Sequence, residues 1–291
     1  MRQLSFKRYR FPPDIIRHAI WLSDGQMVRI NAADNSFIEI VVPTSENAGL
    51  LGELDKYRGI AVGEGAVWVP DMASSTIYKI DPEQNKVVMT IATDIFGSTG
   101  SIGIGEGSVW VLTFDNRDKT LTRYNADTGA VEARIELPQA GSGVLVAQGS
   151  VWVTAARRGE LYRIDPNTNQ VAATIDIHGA SHLLASGDGS VWIPFETDGL
   201  IQRIDGRTGQ VMATIETGAA DMEKDGDIAI GGGFIWIINR GSIVAQIDPR
   251  TNSAKGTFRP PTGTSTGRRI RHGGGSLWLS GSAIFRVVPP N

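Results

Sequence analysis

Residues 144–177, VLVAQGSVWVTAARRGELYRIDPNTNQVAATIDI, contain one complete unit of a pattern that runs through the chain. The unit holds four short runs rich in Val, Ile, Leu and Tyr, separated by turn residues, and it has no apolar stripe at helical spacing. The stretch from Asp165 to Asn169 suits a tight hairpin, because Asp accepts backbone N–H groups, Pro presets φ and Asn tolerates the left-handed conformation. The unit therefore predicts four antiparallel strands.

The same pattern recurs around every tryptophan of the sequence. The seven tryptophans stand at positions 21, 68, 110, 152, 192, 236 and 278, and successive ones lie 40 to 47 residues apart. A period of this length with four strands per repeat is typical of a β-propeller and not of a helical solenoid. We therefore predict an all-β, seven-bladed propeller with four-stranded antiparallel blades, formed as a single domain by residues 1–291.

The last repeat supplies three predicted strands within residues 267–289. Residues 3–10 precede a Phe-Pro-Pro sequence that resembles the Phe-Arg-Pro-Pro at the end of the preceding repeat. We expect residues 3–10 to add the outermost strand of this blade. Such a closure leaves no exposed sheet edge at the junction of the two termini.

Composition narrows the classes of partner. The net charge is −3 and the chain has no cysteine, which excludes disulfides, thiolate metal sites and a Cys nucleophile. A slightly acidic chain without an apolar run of about 18 residues predicts no nucleic-acid partner and no membrane insertion. We expect a soluble monomer that carries no export signal. Its compartment stays open between the cytoplasm and, if a signal peptide has been removed, the periplasm or the exterior.

Residues that recur in every repeat are predicted to be structural, and function is expected where the repeats differ. In a propeller, the functional face is formed by the links between blades and by the loops after the Trp strands. His182 opens an inner strand, and Glu196 follows Trp192 in the same repeat. A histidine polarised by a carboxylate is a plausible general base, so this pair is the candidate catalytic pair. The alternative is a solvated histidine and an unrelated surface glutamate.

A second group of residues opens the inner strands and is expected to point toward the central channel. Clustered guanidinium groups there suit a carboxylate or a phosphate. The alternative is that the arginines, Arg271 included, form ion pairs with acidic residues of the neighbouring blade. His178 lies close to His182, but no third metal ligand is evident and the metal ligands stay unknown. The predicted substrate-binding residues are Arg58, Ser101, Asp227, Arg268 and Arg269.

The phrases GSVWV and RIDPNTNQVAATI of the 144–177 unit resemble the virginiamycin B lyase and YncE-like seven-bladed propellers, over about residues 8–288. In the lyase family, a His that opens an inner strand and a Glu after the next Trp supply acid/base groups for a Mg²⁺-assisted elimination that opens a cyclic depsipeptide. In the last blade, the matching positions are Arg268 and Gly281, which cannot do this. His182 and Glu196 keep the residue types and the spacing, in a different blade.

The resemblance implies the architecture and the location of a site, with Mg²⁺ as a candidate cofactor. We therefore predict a small-molecule site at the mouth of the central channel, with lyase-type acid/base chemistry on an anionic or cyclic ester substrate. The alternative is a non-catalytic YncE-like propeller that binds a ligand, a peptide or a protein on the same face.

Overall fold

The computed structural model describes residues 19–23, 27–31, 34, 36–40, 60–71, 74–93, 99–113, 119–155, 157–195, 198–218, 226–238, 243–259, 269–280 and 284–288. The chain divides into two compact units. The first comprises Met1–Leu22, Arg29–Ile38 and Leu183–Asn291, and the second comprises Ser23–Val28 and Glu39–His182.

The described residues form only strands, turns and loops, and the strands make seven sheets. A three-stranded sheet near the N-terminus contains β1 (Ala19–Ser23), β2 (Met27–Asn31) and β3 (Phe37–Ile40). Within the described part of the chain, no helix has the length and apolarity needed to cross a membrane.

The second unit contains three four-stranded sheets, each formed by consecutive strands. Every pairing between neighbouring strands is antiparallel. The strands are β4 (Ala61–Gly63), β5 (Ala66–Asp71), β6 (Thr76–Asp81), β7 (Lys86–Ala92), β8 (Thr99–Gly105), β9 (Ser108–Thr113), β10 (Thr120–Asn125), β11 (Val131–Glu136), β12 (Gly141–Ala147), β13 (Ser150–Ala155), β14 (Glu160–Asp165) and β15 (Gln170–Asp176).

The first unit contains two four-stranded sheets and one with three described strands, again in chain order and antiparallel. The strands are β16 (Ala185–Gly187), β17 (Ser190–Phe195), β18 (Leu200–Asp205), β19 (Val211–Glu216), β20 (Asp227–Gly231), β21 (Phe234–Ile238), β22 (Val244–Asp248), β23 (Ser253–Phe258), β24 (Arg269–Gly273), β25 (Ser276–Ser280) and β26 (Ile284–Val287). The prediction of an all-β chain with four-stranded antiparallel sheets is confirmed. Residues 3–10 lie outside the described residues.

The predicted hairpin of the 144–177 unit is confirmed between β14 and β15. The carboxylate of Asp165 accepts a hydrogen bond from the backbone N–H of Asn167 at 2.8 Å. Asn169 has a φ of 56°, a left-handed conformation that Asn tolerates better than most residues. The Asp-Pro-x-Thr-Asn stretch therefore turns the chain for the reason that its residue types indicated.

In the six sheets from β4 to β26, a buried tryptophan is at the centre of the packing, and Trp110 shows how. Its ring is fully buried, and its Nε1 donates to the carbonyl oxygen of Gly105 at 3.1 Å. The guanidinium of Arg123 lies over the ring, 4.8 Å from its centroid. Arg123 also donates to the carbonyl oxygen of Pro166 at 2.6 Å and to Oδ1 of Asn169 at 3.0 Å. One side chain thus caps a tryptophan and holds the hairpin of the following sheet.

This arrangement recurs in both units. A cation covers a tryptophan ring in four further sheets, in the pairs Lys79–Trp68, Arg163–Trp152, Arg203–Trp192 and Arg286–Trp278. Gln246 takes the place of the cation opposite Trp236. The tryptophans are therefore structural, as their recurrence predicted.

A glycine at the end of four inner strands, β4, β8, β16 and β20, lets the next sheet approach closely. A Cβ at Gly105 would lie 2.7 Å from Cγ1 of Val146, which is closer than carbon atoms pack. In the first unit, Gly231 is covered in the same way by His272 on β24. His272 is half-buried, and burial lowers the pKa of its imidazole. Ile104 and Val146 cover the equivalent glycines of the second unit, Gly63 and Gly105. His272 therefore places a titratable side chain where those repeats have an apolar one.

Candidate functional site

His182 lies on the link between β15 and β16 in the second unit, with its side chain exposed. The residues on either side of it, Ser181 and Leu183, are buried at 7% and 9% exposure. The two buried neighbours anchor the link, so the imidazole is presented to solvent from a held segment of backbone. This placement suits a group that must meet a ligand from solution.

The structure does not bring the other predicted site residues together with His182. Glu196, Arg58 and Arg268 lie outside the described residues. Ser101 is on β8 and Arg269 is on β24, both inner strands as predicted, but the structure does not describe their side chains. The pairing of His182 with Glu196 and the arginine cluster therefore stay predictions.

Asp227, predicted to bind substrate, has a carboxylate that is already engaged by protein groups of the first unit. It is 6% exposed, and its Oδ2 accepts hydrogen bonds from the backbone N–H of Ile270 at 2.9 Å and from Nη1 of Arg271 at 2.5 Å. Its Oδ1 accepts from the backbone N–H of Ile228. The carboxylate joins inner strand β20 to inner strand β24. The ion-pair alternative therefore holds for Arg271, and these contacts favour a positioning role for Asp227.

A polar cluster on the sheet β12–β15 was not predicted from the sequence. The phenol of Tyr162, which is fully buried, donates to Oε2 of Glu160 at 2.6 Å. Gln139 donates its side-chain amide to the same oxygen at 3.0 Å. Burial raises the pKa of Tyr162, and the hydrogen bond to Glu160 raises it further, so the phenol stays protonated and acts as a donor.

The link that carries His182 leaves the sheet β12–β15 at the end where this cluster lies. Because neighbouring strands are antiparallel, the start of β14 at Glu160, the end of β15 and the start of β12 share one end. The link after β15 is fixed there by a hydrogen bond from the backbone N–H of Ile177 to the carbonyl oxygen of Gly159 at 2.8 Å. This end of the sheet thus carries a carboxylate and a buried phenol, and the link that leaves it carries the exposed imidazole of His182.

A second tyrosine–carboxylate cluster lies in the same unit, on β5 and β6. The carboxylate of Asp71 is buried and accepts a hydrogen bond from the hydroxyl of Ser74 at 2.7 Å. Burial raises the pKa of Tyr78, whose phenol also interacts with Ser74 and Asp71. The sequence gives only a weak indication of these two clusters. Tyr78 and Tyr162 occupy the same position of their repeats, and two other repeats have Thr122 and Gln202 at that position.

Known protein families and solved structures agree with this architecture of four-stranded antiparallel sheets. The family model of glutamine cyclotransferase matches residues 57–236, which is more than half of the chain. The chain belongs to the glutamine cyclotransferase family. The matched segment includes His182, both tyrosine–carboxylate clusters and Asp227. No curated protein sequence matches the chain significantly.

Solved structures confirm the propeller fold of this family member. Virginiamycin B lyase from Staphylococcus aureus is similar with a TM-score of 0.72 and 17% identity, over 93% of this chain and 91% of that one. The WD40 β-propeller domain of Doa1 is similar with a TM-score of 0.66 and 16% identity, over 92% of this chain and 87% of that one. The predicted resemblance to a β-propeller of the virginiamycin B lyase kind is confirmed, and at these identities it concerns the fold alone.

Proposed function

We propose that this member of the glutamine cyclotransferase family is an enzyme that binds a small molecule and moves a proton through His182. The observation that carries the proposal is the exposed imidazole between two buried neighbours, on the link that leaves the sheet end of Glu160 and Tyr162. Imidazole accepts and returns protons near neutral pH, which general acid/base catalysis requires.

The names of the relatives point to chemistry that shares this requirement. A lyase removes a proton from its substrate and expels a leaving group. Cyclisation of glutamine removes a proton from the amine that closes the ring and expels ammonia. In both reactions, one positioned group can accept the proton and return it to the leaving group. We propose His182 as that group, acting on an anionic or cyclic ester substrate or on a glutaminyl amide.

The proposal keeps the other roles predicted from the sequence. Glu196 orients His182, and Arg58, Arg268 and Arg269 receive an anionic group, with Ser101 and Asp227 near the substrate. The lyase resemblance implies Mg²⁺, but no three His, Asp or Glu side chains among the described residues lie close enough to hold a metal ion. We therefore assign no ligands to Mg²⁺ and no step to it.

We also infer that the blades number seven and that residues 3–10 add the outer strand to the blade of β24–β26. The support is the seven sheets formed by the described residues, of which the sheet β24–β26 has three strands.

Two assays test the catalytic proposal. Ring opening of virginiamycin B is followed by mass spectrometry, where elimination leaves the mass unchanged and hydrolysis adds one water. Cyclisation of a dipeptide that begins with glutamine is followed by release of ammonia. His182→Ala is expected to lower turnover by about 100-fold or more, the usual contribution of a general acid or base. Its melting temperature should stay unchanged because the side chain is exposed.

His178→Ala is the matched control, since His178 is an exposed histidine on the same link. Full activity of His182→Ala, or an equal loss in both variants, would show that His182 is not the acid/base group. Tight binding of either compound without turnover by the wild type would instead support the non-catalytic alternative.

A further inference from the structure

A cavity of about 490 Å³ lies in the second unit, beside the outer strands β11 and β15. Its volume falls within the range of about 300–1,000 Å³ that ligand sites occupy. It has no part in the proposed acid/base chemistry. Its lining residues are Lys119, Arg134, Ile135, Glu136, Leu137, Pro138, Asn169, Gln170 and Val171.

Part of the lining is apolar and firmly held. Ile135 and Leu137 are buried at 5% and 2% exposure and belong to the same core cluster as Val153 and Tyr162. Val171 is half-buried and packs against that cluster. The hydrocarbon that an occupant can reach therefore comes from Val171 and from the exposed Pro138.

Three charged side chains also line the cavity, and they do not neutralise one another. Lys119, Arg134 and Glu136 form no ion pair within the described part of the chain. Two positive charges and one negative charge leave an excess of one positive charge next to the apolar lining. An occupant with an apolar side chain and an acidic one would satisfy both features.

The cavity runs along an open sheet edge. β11 is the outermost strand of its sheet and pairs with β10 alone among the described strands. An unpaired edge presents backbone N–H and C=O groups that can accept a further strand. Recognition by strand addition takes its affinity from these main-chain bonds and its specificity from pockets for alternate side chains.

We propose that the groove between β11 and β15 binds an extended acidic peptide segment of a partner protein. The peptide adds as a strand to β11. One of its apolar side chains packs near Pro138 and Val171, and its neighbouring Asp or Glu side chains face Arg134 and Lys119. The outer edge of the sheet β8–β11 is then a docking surface. It is separate from the link that carries His182.

The test uses two labelled probe peptides and the full-length protein. The acidic probe is acetyl-Ser-Glu-Val-Asp-Val-Glu-Ser-amide and the basic probe is acetyl-Ser-Lys-Val-Lys-Val-Lys-Ser-amide, each measured by fluorescence anisotropy. We expect the acidic probe to bind more tightly. Arg134→Glu and Lys119→Glu should each weaken it by about fivefold or more, the effect of one exposed charge pair. Hydrogen exchange in β11 should slow when the acidic probe is bound.

Lys86→Glu is the matched control, because Lys86 is an exposed lysine on the outer strand β7 of the same unit. It should change the affinity by less than about twofold. Equal binding of the two probes, or unchanged binding by Arg134→Glu and Lys119→Glu, would overturn the proposal. Displacement of the probe by an equal concentration of free glutamate would show a small-molecule site instead. Self-association that Arg134→Glu abolishes would show that a second copy of the chain fills the groove.

Discussion

Replacing Asp227 by Ala is expected to lower the stability of the protein by about 2–4 kcal/mol. The carboxylate accepts the backbone N–H of Ile270, a fully buried residue, and loss of this acceptor leaves a buried donor unpaired at a cost of about 1–3 kcal/mol. The ion pair with Arg271 adds about 1 kcal/mol, because the Arg271 side chain is 35% exposed and water screens the pair.

Asp227→Asn separates the two contributions. The amide oxygen of Asn can still accept from the Ile270 N–H, whereas the charge that attracts Arg271 is gone and the amide nitrogen cannot accept from the Ile228 N–H. We expect a smaller loss than for Asp227→Ala, and the Asp227→Ala and Arg271→Ala double-mutant cycle should give a coupling of about 1 kcal/mol. The assay is urea unfolding monitored by tryptophan fluorescence. A loss of about 2–4 kcal/mol corresponds to a decrease in melting temperature of roughly 5–10 °C.

Glu216→Ala is the control, because Glu216 is an exposed carboxylate in the same unit and forms no ion pair among the described residues. It should change stability by less than about 0.5 kcal/mol. An Asp227→Ala variant as stable as the wild type would show that the carboxylate does not stabilise the junction of β20 and β24. An Asn variant as unstable as the Ala variant would show that the acceptor of the Ile270 N–H contributes little to the strand junction. Weaker substrate binding by Asp227→Asn at unchanged stability would restore Asp227 as a substrate-binding residue.

Two further predictions concern pH and closure. Because burial lowers the pKa of His272, the unfolded chain binds more protons than the folded one below the ordinary imidazole pKa of about 6.5, so stability should fall as the pH decreases through that value. His272→Val, the residue found at the matching place of Val146, should flatten this dependence in urea unfolding at pH 7.5 and 5.5; an equal slope in both proteins would contradict it. Deletion of residues 1–11 should lower the melting temperature sharply if residues 3–10 close the last blade, and an unchanged melting temperature would refute the closure.

The repeats made the fold predictable from the sequence. The spacing of the tryptophans predicts the sheets, and the Asp-Pro-x-Thr-Asn stretch at Asp165–Asn169 predicts a hairpin, because both patterns follow from local residue chemistry. The cation over five of the tryptophans was not predicted. Arg123 is 13 residues after Trp110 in the chain, and only the register between β9 and β10 places the two side chains opposite each other.

The candidate site was predictable to a smaller extent. His182 stands out in the sequence as a residue that breaks the repeat, and the structure exposes it on the link between β15 and β16. Glu160 did not stand out, since its partners Gln139 and Tyr162 come from separate segments that only the folded sheet brings together. Asp227 was noticed for its position, but its bond to the Ile270 backbone depends on the approach of two inner strands far apart in the chain.

The hydrogen bond from Arg123 to the hairpin of the next sheet has a consequence for the synthesis of the chain. In two described cases, an arginine that caps a tryptophan finds its other acceptor in the hairpin of the next sheet: Pro166 for Arg123, 43 residues later, and Pro249 for Arg203, 46 residues later. During synthesis, the sheet that contains such an arginine therefore lacks this hydrogen bond until almost a whole further repeat has emerged from the ribosome. A chain that ends between Arg123 and Pro166, or between Arg203 and Pro249, therefore lacks the acceptor that this guanidinium has in the full-length protein.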